Sequence, residues 1–186
     1  MVELGTPAPP FQLTDAVSGT TISLGTFAGT QALLVMFICP HCPFVKHIQR
    51  GLAALASDYR GAALGIVAIS SNDVAQFPED GPDGLREMSD ELGLDFPYCF
   101  DETQEVAKAY NAACTPDFFL FDESRSLVYR GQFDGSRPGN QVSVTGMDLR
   151  AAIDAVLSGQ PVEQYQKPSI GCNIKWKPGN EPVAAR

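Results

Sequence analysis

Apolar residues recur along this chain with two different spacings, and the changes between them mark the predicted elements. A continuous apolar run over residues 31–38 predicts a buried central strand. Apolar positions three or four residues apart between Pro40 and Tyr59 predict an amphipathic helix. A second apolar run over residues 63–70 follows, and this order favours a right-handed strand–helix–strand unit with parallel strands.

The rest of the chain adds shorter elements to this unit. Alternating patterns at residues 11–14 and 21–24 predict an N-terminal β-hairpin. The remaining predicted elements are helices at 83–92, 103–110 and 147–157, and strands at 98–100, 117–122 and 127–133. The sequence therefore predicts an α/β fold, in which helices flank a central mixed β-sheet. Residues 1–158 form the predicted domain, and residues 159–186 form a C-terminal tail that is either packed on it or mobile.

The motif Cys39-Pro40-His41-Cys42 lies where the central strand meets the amphipathic helix. Proline is tolerated in a helix only in its first turn, so Pro40 and Pro43 predict that turn and a cap at Cys39. The positive end of the helix dipole favours a thiolate at the cap, and a protonated His41 would stabilise it further. The expected roles are therefore attack by Cys39 and resolution by a shielded Cys42.

Composition narrows the possible functions. The net charge of −9 argues against nucleic acid or an anionic membrane as a partner, and no apolar stretch approaches the length of a membrane span. The first residues lack the pattern of a signal peptide, so the expected location is cytoplasmic. Five cysteines form an odd number, which does not suit a scaffold of structural disulfides.

Three stretches together resemble the redoxin branch of the thioredoxin fold, which includes the alkyl hydroperoxide reductase/thiol-specific antioxidant proteins. They are residues 5–15, the Cys39–Cys42 motif, and residues 114–122, which contain Thr115 and Pro116. The resemblance covers residues 5 to about 158. It implies a thioredoxin-like fold, a redox-active Cys39–Cys42 pair that needs no other cofactor, and a cis Thr115–Pro116 bond beside the cysteines.

Several residues depart from the patterns of these families. Ile38 replaces the usual tryptophan, and Met36 stands nearest the place of the buried acid, so the sequence names no proton acceptor. The proline and threonine of the peroxiredoxin motif correspond to Val35 and Cys39, which disfavours peroxidase chemistry. The tail motif at residues 169–177 resembles a subfamily of peroxiredoxin-like thioredoxin proteins.

Two further cysteines are candidates for additional redox thiols. Cys114 is two residues before Pro116 and serves either packing or a secondary redox role. Cys172 is predicted to lie close enough to the motif to exchange with it, because Ile174 and Trp176 can anchor the tail on apolar surface.

The resulting functional prediction is a thiol–disulfide oxidoreductase. Its expected partners are a protein or small-molecule disulfide and an unidentified thiol reductant. A thiol-dependent peroxidase and a redox-sensing interaction protein are the alternatives. Two other interpretations of Cys39 and Cys42 are disfavoured: half of a zinc site, which would need two more ligands, and a purely structural disulfide.

Overall fold

The computed structural model describes residues 2–182 and contains a five-stranded mixed sheet with helices on both faces. The strands are β1 (Gln12–Thr14), β2 (Thr21–Ser23), β3 (Ala32–Phe37), β4 (Leu64–Ser70), β5 (Tyr98–Phe100), β6 (Cys114–Thr115), β7 (Asp117–Phe121), β8 (Leu127–Gly131) and β9 (Cys172–Asn173). The α-helices are α1 (Pro43–Asp58), α2 (Pro82–Leu92), α3 (Glu105–Ala109) and α4 (Met147–Leu157). Short 3-10 turns occupy Leu24–Phe27 and Pro78–Asp80. Within residues 2–182, none of the helices combines the length and apolarity needed to cross a bilayer.

The central sheet has the strand order β5-β4-β3-β7-β8. Strand β3 is in the middle, parallel to β4 and antiparallel to β7, and β8 extends the antiparallel side. All six residues of β3 are buried, as expected for a strand that is covered on both faces. The predicted α/β class and mixed sheet are therefore confirmed.

Alternate residues of β3 belong to two separate hydrophobic cores. Leu34, Met36 and Ile38 pack with the buried faces of α1, α2 and α4. On the other face of the sheet, Leu33, Val35 and Phe37 pack with α3 and with residues of the N-terminal hairpin. The redox motif continues from the α1 side of the strand, so Cys39 and Cys42 belong to the first core.

Helix α1 begins at Pro43, and its N-cap is Cys42. The prediction that Cys39 caps this helix is wrong. A residue that precedes proline is disfavoured in the helical region, and Cys42 is accordingly extended, with φ −66° and ψ 123°. Pro43 then fills the first helical position, whereas Pro40 lies in the bend before the helix.

The C-terminal tail is fastened to the domain at three places. Gln166 reaches β8, where its side chain hydrogen-bonds the backbone of Val128 and Arg130. Strand β9 pairs with β6 in an antiparallel ladder that the sequence patterns did not predict. Beyond β9, the backbone of Lys175 bonds the loop that follows β4. The tail therefore lies across the ends of the strands that present the redox motif.

Candidate redox site

Strand β3 ends directly before the motif and delivers Cys39 into the interior, and the bend through Pro40 then brings Cys42 to the start of α1. Both cysteines are 0% exposed, whereas Pro40 and His41 are partly exposed. The sequence-based expectation of one exposed and one shielded thiol is therefore not met, because the fold covers both sulfurs. All five cysteines lie within the described residues and are free thiols.

Cys42 occupies the position that favours a thiolate. A hydrogen bond from Cys39 lowers its pKa most strongly, and hydrogen bonds from the Thr115 hydroxyl and from Cys172 also lower it. Burial acts in the opposite direction but does not cancel these interactions. As the N-cap residue of α1, Cys42 also lies at the positive end of the helix dipole. When protonated, its thiol donates to the Thr115 carbonyl oxygen over 3.1 Å.

Cys39 has the opposite surroundings. Its hydrogen bond to Cys42 raises its pKa, and burial and the negative charge of Asp80 raise it further. The Cys39 Sγ lies 3.4 Å from the Thr115 hydroxyl and 3.6 Å from His41 Nδ1. The Asp80 carboxylate thus disfavours a thiolate at Cys39, whereas the helix N-terminus favours one at Cys42, so the helix cap no longer supports the initial attack by Cys39.

Asp80 is the functional residue that the sequence analysis missed. Its carboxylate is fully buried and accepts hydrogen bonds from the His41 backbone at 3.0 Å and from the Asn72 amide at 2.8 Å. It also pairs with His41 Nδ1, the nitrogen that faces Cys39. The fold therefore supplies a buried acid from the 3-10 turn before α2, and not from the central strand where Met36 stands.

The imidazole of His41 is held in this orientation from its other side. The ring of Phe77 stacks on it, with 4.3 Å between the ring centroids and 20° between the planes. The Lys175 ammonium of the tail lies 5.8 Å from the centre of the Phe77 ring. His41 is thus fixed between Asp80 and an aromatic face that the tail also contacts.

The Thr115–Pro116 peptide bond is cis, as predicted. Thr115 is buried between the two cysteines: its hydroxyl faces Cys39, and its carbonyl oxygen accepts from Cys42. Its backbone is also the pairing partner of Cys172 in β9. Thr115 therefore contacts both thiols of the motif and pairs with the backbone of Cys172.

Cys172 lies beside the motif, as predicted. It is paired with Thr115 across the β6–β9 ladder, and burial together with a hydrogen bond to Cys42 raises its pKa to about 11. Gly171 permits this approach, because a Cβ atom at that position would be 2.0 Å from the Thr115 carbonyl oxygen. The close contact thus depends on glycine before the cysteine.

Cys114 is near the site, and its thiol is hydrogen-bonded to the backbone and not to another thiol. Its side chain donates to the Pro116 carbonyl oxygen over 3.6 Å, and burial raises its pKa to about 12. These contacts favour the packing role over the secondary redox role.

Three possible metal ligands converge at the motif. The donor atoms of Cys39, His41 and Asp80 lie within 4.8 Å of one another. We expected no metal because the sequence offered too few ligands near the motif, and Asp80 adds one possible ligand to Cys39 and His41. A tetrahedral zinc site would still need a fourth ligand, and His41 Nδ1 and Asp80 already satisfy each other by hydrogen bonding. Cys39, His41 and Asp80 therefore form a hydrogen-bond network.

Residues 4–130 of the chain match the sequence model of the AhpC/TSA family. No curated protein matches the chain. Two crystal structures are similar over nearly the whole length. A hypothetical protein from Sinorhizobium meliloti 1021 is 54% identical, with a TM-score of 0.94 over 96% of this chain and 97% of that one. An uncharacterized conserved protein from Geobacillus kaustophilus is 55% identical, with a TM-score of 0.94 over 96% of this chain and 95% of its own.

More distant structures confirm the thioredoxin-like fold. The thioredoxin domain of a thiol-disulfide oxidoreductase from Bacteroides vulgatus has a TM-score of 0.59 at 18% identity, over 74% of this chain and 91% of that domain. A secreted disulfide oxidoreductase from Mycobacterium tuberculosis has a TM-score of 0.58 at 15% identity, over 80% of this chain and 95% of that one. At these identities the likeness concerns the fold alone.

Proposed function

The chain belongs to the AhpC/TSA family, and on that basis we propose that it is a thiol–disulfide oxidoreductase whose redox pair is Cys39 and Cys42. The observation that supports this most strongly is the different placement of the two thiols: Cys42 caps the positive N-terminus of α1, whereas Cys39 lies beside the His41–Asp80 pair. A pair of this kind contains one nucleophilic thiolate and one thiol that remains protonated until it is needed.

In the proposed cycle, the Cys42 thiolate attacks a substrate disulfide. A mixed disulfide forms at Cys42, and the first substrate sulfur leaves as a thiolate that takes a proton from solvent. Cys39 then attacks Cys42 Sγ, which closes the Cys39–Cys42 disulfide and releases the second substrate thiol. The substrate disulfide gains two electrons, and the protein dithiol loses them.

The second step requires Cys39 to lose its proton. We assign the role of proton acceptor to His41 Nδ1, which is 3.6 Å from Cys39 Sγ, and the Asp80 carboxylate takes the proton that Nδ1 shares with it so that Nδ1 is free to accept the one from Cys39. The same nitrogen faces both groups, so the arrangement differs from a nucleophile–histidine–acid triad, in which the two ring nitrogens face different partners.

The proposed substrates are protein or small-molecule disulfides, and a thiol reductant returns the pair to the dithiol. The proposed location is the cytoplasm, where a disulfide that forms and breaks in each cycle is typical of catalytic pairs. The redox-active pair itself is the only cofactor that this proposal requires.

A redox titration tests the proposal. The protein is equilibrated with mixtures of reduced and oxidised glutathione, and the Cys39–Cys42 disulfide is quantified by mass spectrometry after acid quenching. We expect a single two-electron transition, absent from the Cys39→Ser and Cys42→Ser variants and retained by Cys114→Ser. A wild-type protein that never forms this disulfide across the titration would contradict the proposal.

A thiol-dependent peroxidase remains the second candidate. It is favoured by the family match together with the position of Cys42 at the cap of α1, where a thiolate could attack peroxide. The chemistry would pass through a sulfenic acid at Cys42. Consumption of hydrogen peroxide with dithiothreitol as the reductant separates the two: rapid turnover that depends on Cys42 supports the peroxidase, and slow consumption with rapid disulfide exchange supports the oxidoreductase.

A further inference from the structure

Among the three thiols Cys39, Cys42 and Cys172, only Cys172, in the C-terminal tail, is exposed to solvent. Cys39 and Cys42 have no exposed surface, whereas Cys172 is partly exposed. A protein disulfide can therefore approach Cys172 but not Cys42, so in the proposed cycle such a substrate would pass its disulfide to Cys42 through Cys172.

Strand β9 holds Cys172 in this position from both sides. On one side, Gly171 packs against the Thr115 carbonyl, where no larger residue fits. On the other side, the Lys175 N–H donates to the Asn72 side chain at 2.8 Å, and the Lys175 carbonyl accepts from the Asp73 N–H at 2.8 Å. These contacts order the segment around Cys172 instead of leaving it free.

The same contacts connect the tail to the far side of the redox pair. Asn72 accepts the Lys175 N–H through its oxygen and donates to Asp80 through its nitrogen. Cys172 itself packs against the core cluster that contains Cys42 and is paired with Thr115, whose carbonyl oxygen accepts from Cys42. The tail therefore lies beside the Cys42 thiol and is connected to the Cys39 thiol through Asn72, Asp80 and His41.

We propose that Cys172 is a third catalytic thiol, through which the buried Cys39–Cys42 pair exchanges disulfides with molecules in solvent. This inference rests on the proposed function, because it supplies the route by which that redox pair reaches its partners.

External thiols reduce the Cys39–Cys42 disulfide through Cys172 in three exchanges. The Cys172 thiolate attacks Cys42 Sγ, the Cys39–Cys42 bond breaks, a Cys42–Cys172 disulfide forms, and Cys39 leaves and takes up a proton. An external thiolate then attacks Cys172 Sγ and Cys42 leaves as a thiolate. A second external thiol releases Cys172 and forms the external disulfide. The reverse sequence reduces a substrate disulfide.

The pKa difference between the thiols favours the second of these steps. In thiol–disulfide exchange, a leaving thiol with a lower pKa leaves faster. Attack from solvent at Cys172 expels Cys42, the thiol whose pKa is lowered. The first step expels Cys39, whose pKa is raised, so the pKa difference favours the second step alone, and the first step relies on the position of Cys172 beside Cys42.

The first test identifies the internal disulfide. The Cys39→Ser variant is treated with oxidised glutathione, quenched in acid and digested without reductant. We expect a peptide pair joined by Cys42 and Cys172, also in a Cys39→Ser/Cys114→Ser double variant. Stable glutathione on Cys42 with a free Cys172 would overturn the proposal.

The second test measures rates. Oxidised protein is mixed with reduced glutathione, and loss of the Cys39–Cys42 disulfide is followed by quenching and mass spectrometry. We expect the Cys172→Ser variant to react at least about tenfold more slowly, and the Cys114→Ser control to react at the wild-type rate. The equilibrium ratio of oxidised to reduced pair should remain within about twofold of wild type in the Cys172→Ser variant, because Cys172 alters the route and not the end states.

A third variant keeps every thiol. Gly171→Ala forces β9 away from Thr115 and should slow the exchange in the same direction as Cys172→Ser, with the fold intact by circular dichroism. Exchange at the wild-type rate in both the Cys172→Ser and Gly171→Ala variants would overturn the inference. If wild-type protein still forms the Cys39–Cys42 disulfide in the glutathione titration, the proposed function survives that failure.

Discussion

The two thiols of the motif differ in what surrounds them more than in how deeply they lie. Cys42 and Cys39 are both completely buried, but Cys42 meets the start of α1, whereas Cys39 faces the Asp80 carboxylate through His41. A helix N-terminus favours negative charge, and a nearby carboxylate disfavours it. Burial alone would raise both pKa values, so the direction of each shift is decided first by the interaction between the two thiols and then by their different neighbours, such as Asp80 beside Cys39.

This difference assigns the chemistry. Under the proposed function, the thiol with a lowered pKa serves as the nucleophile, and the thiol with a raised pKa needs a base before it can attack. Asp80 contributes to both properties of Cys39, since it helps raise the pKa and lies where it can accept the proton through His41. The following variants test this difference between Cys39 and Cys42, in decreasing order of expected effect.

Replacement of the two cysteines should have different consequences. Cys42→Ser removes the nucleophile, so we expect loss of disulfide exchange to the uncatalysed background. Cys39→Ser leaves the nucleophile in place, so it should form one covalent disulfide per molecule and then stop. Both are measured by glutathione exchange with disulfide mapping. Retained turnover in Cys42→Ser would show that the nucleophile has been misassigned.

Asp80→Asn should reduce the difference between the pKa values of the two motif thiols by lowering the pKa of Cys39. The variant removes the charge that disfavours the Cys39 thiolate while preserving the shape of the side chain. The measurement is the pH dependence of Cys39 alkylation in a Cys42→Ser background, with Asp83→Asn as a control because Asp83 is exposed. An alkylation midpoint that stays unchanged or moves upward in Asp80→Asn would refute the role given to this carboxylate.

His41→Ala should mainly affect stability. It removes the imidazole hydrogen bond of the buried Asp80 carboxylate but leaves those from the residue-41 backbone and Asn72, and a hydrogen bond to a charged group contributes about 1.5–3 kcal/mol. Denaturant unfolding of the reduced protein measures the free energy of unfolding. His47→Ala is the matched control, because His47 bonds the Ser136 hydroxyl and not a buried acid. Equal losses in the two variants would contradict the special position of His41.

Thr115→Val should raise the pKa of both motif thiols and leave the difference between the two pKa values unchanged. The hydroxyl lowers the pKa of Cys39 and of Cys42, so its removal should raise each by roughly one unit or less. Thiolate absorbance in the single-cysteine-replacement backgrounds measures both values. A large rise in only one of them would show that the Thr115 hydroxyl distinguishes the thiols.

Most of the fold could be predicted because strong hydrophobic periodicity and local stop signals define its elements. Strand β5 and helix α4 have the predicted bounds, whereas β3 is one residue shorter than predicted at each end and β4 begins one residue later than predicted. The start of α1 was misplaced by three residues, because two prolines compete for the first turn. The restriction that Pro43 places on Cys42 decided between them.

The site was less predictable because it depends on contacts between distant segments. The Asp80 carboxylate comes from a polar loop 39 positions after His41 in the sequence, and nothing in the spacing distinguishes it from exposed acids. Strand β9 consists of two residues, too few for a period to be visible. The glycine before Cys172 was the available signal, since a close backbone approach requires such a residue.

The most direct test of the account is the thiolate absorbance at 240 nm of the reduced protein, titrated from acid to alkaline pH. This measurement does not require a reagent to reach the buried sulfurs. We predict that a thiolate signal appears well below the usual pKa of cysteine, persists in the Cys39→Ser and Cys172→Ser variants and is lost in Cys42→Ser. A low-pH signal that disappears in Cys39→Ser and remains in Cys42→Ser would contradict the assignment of the nucleophile to Cys42.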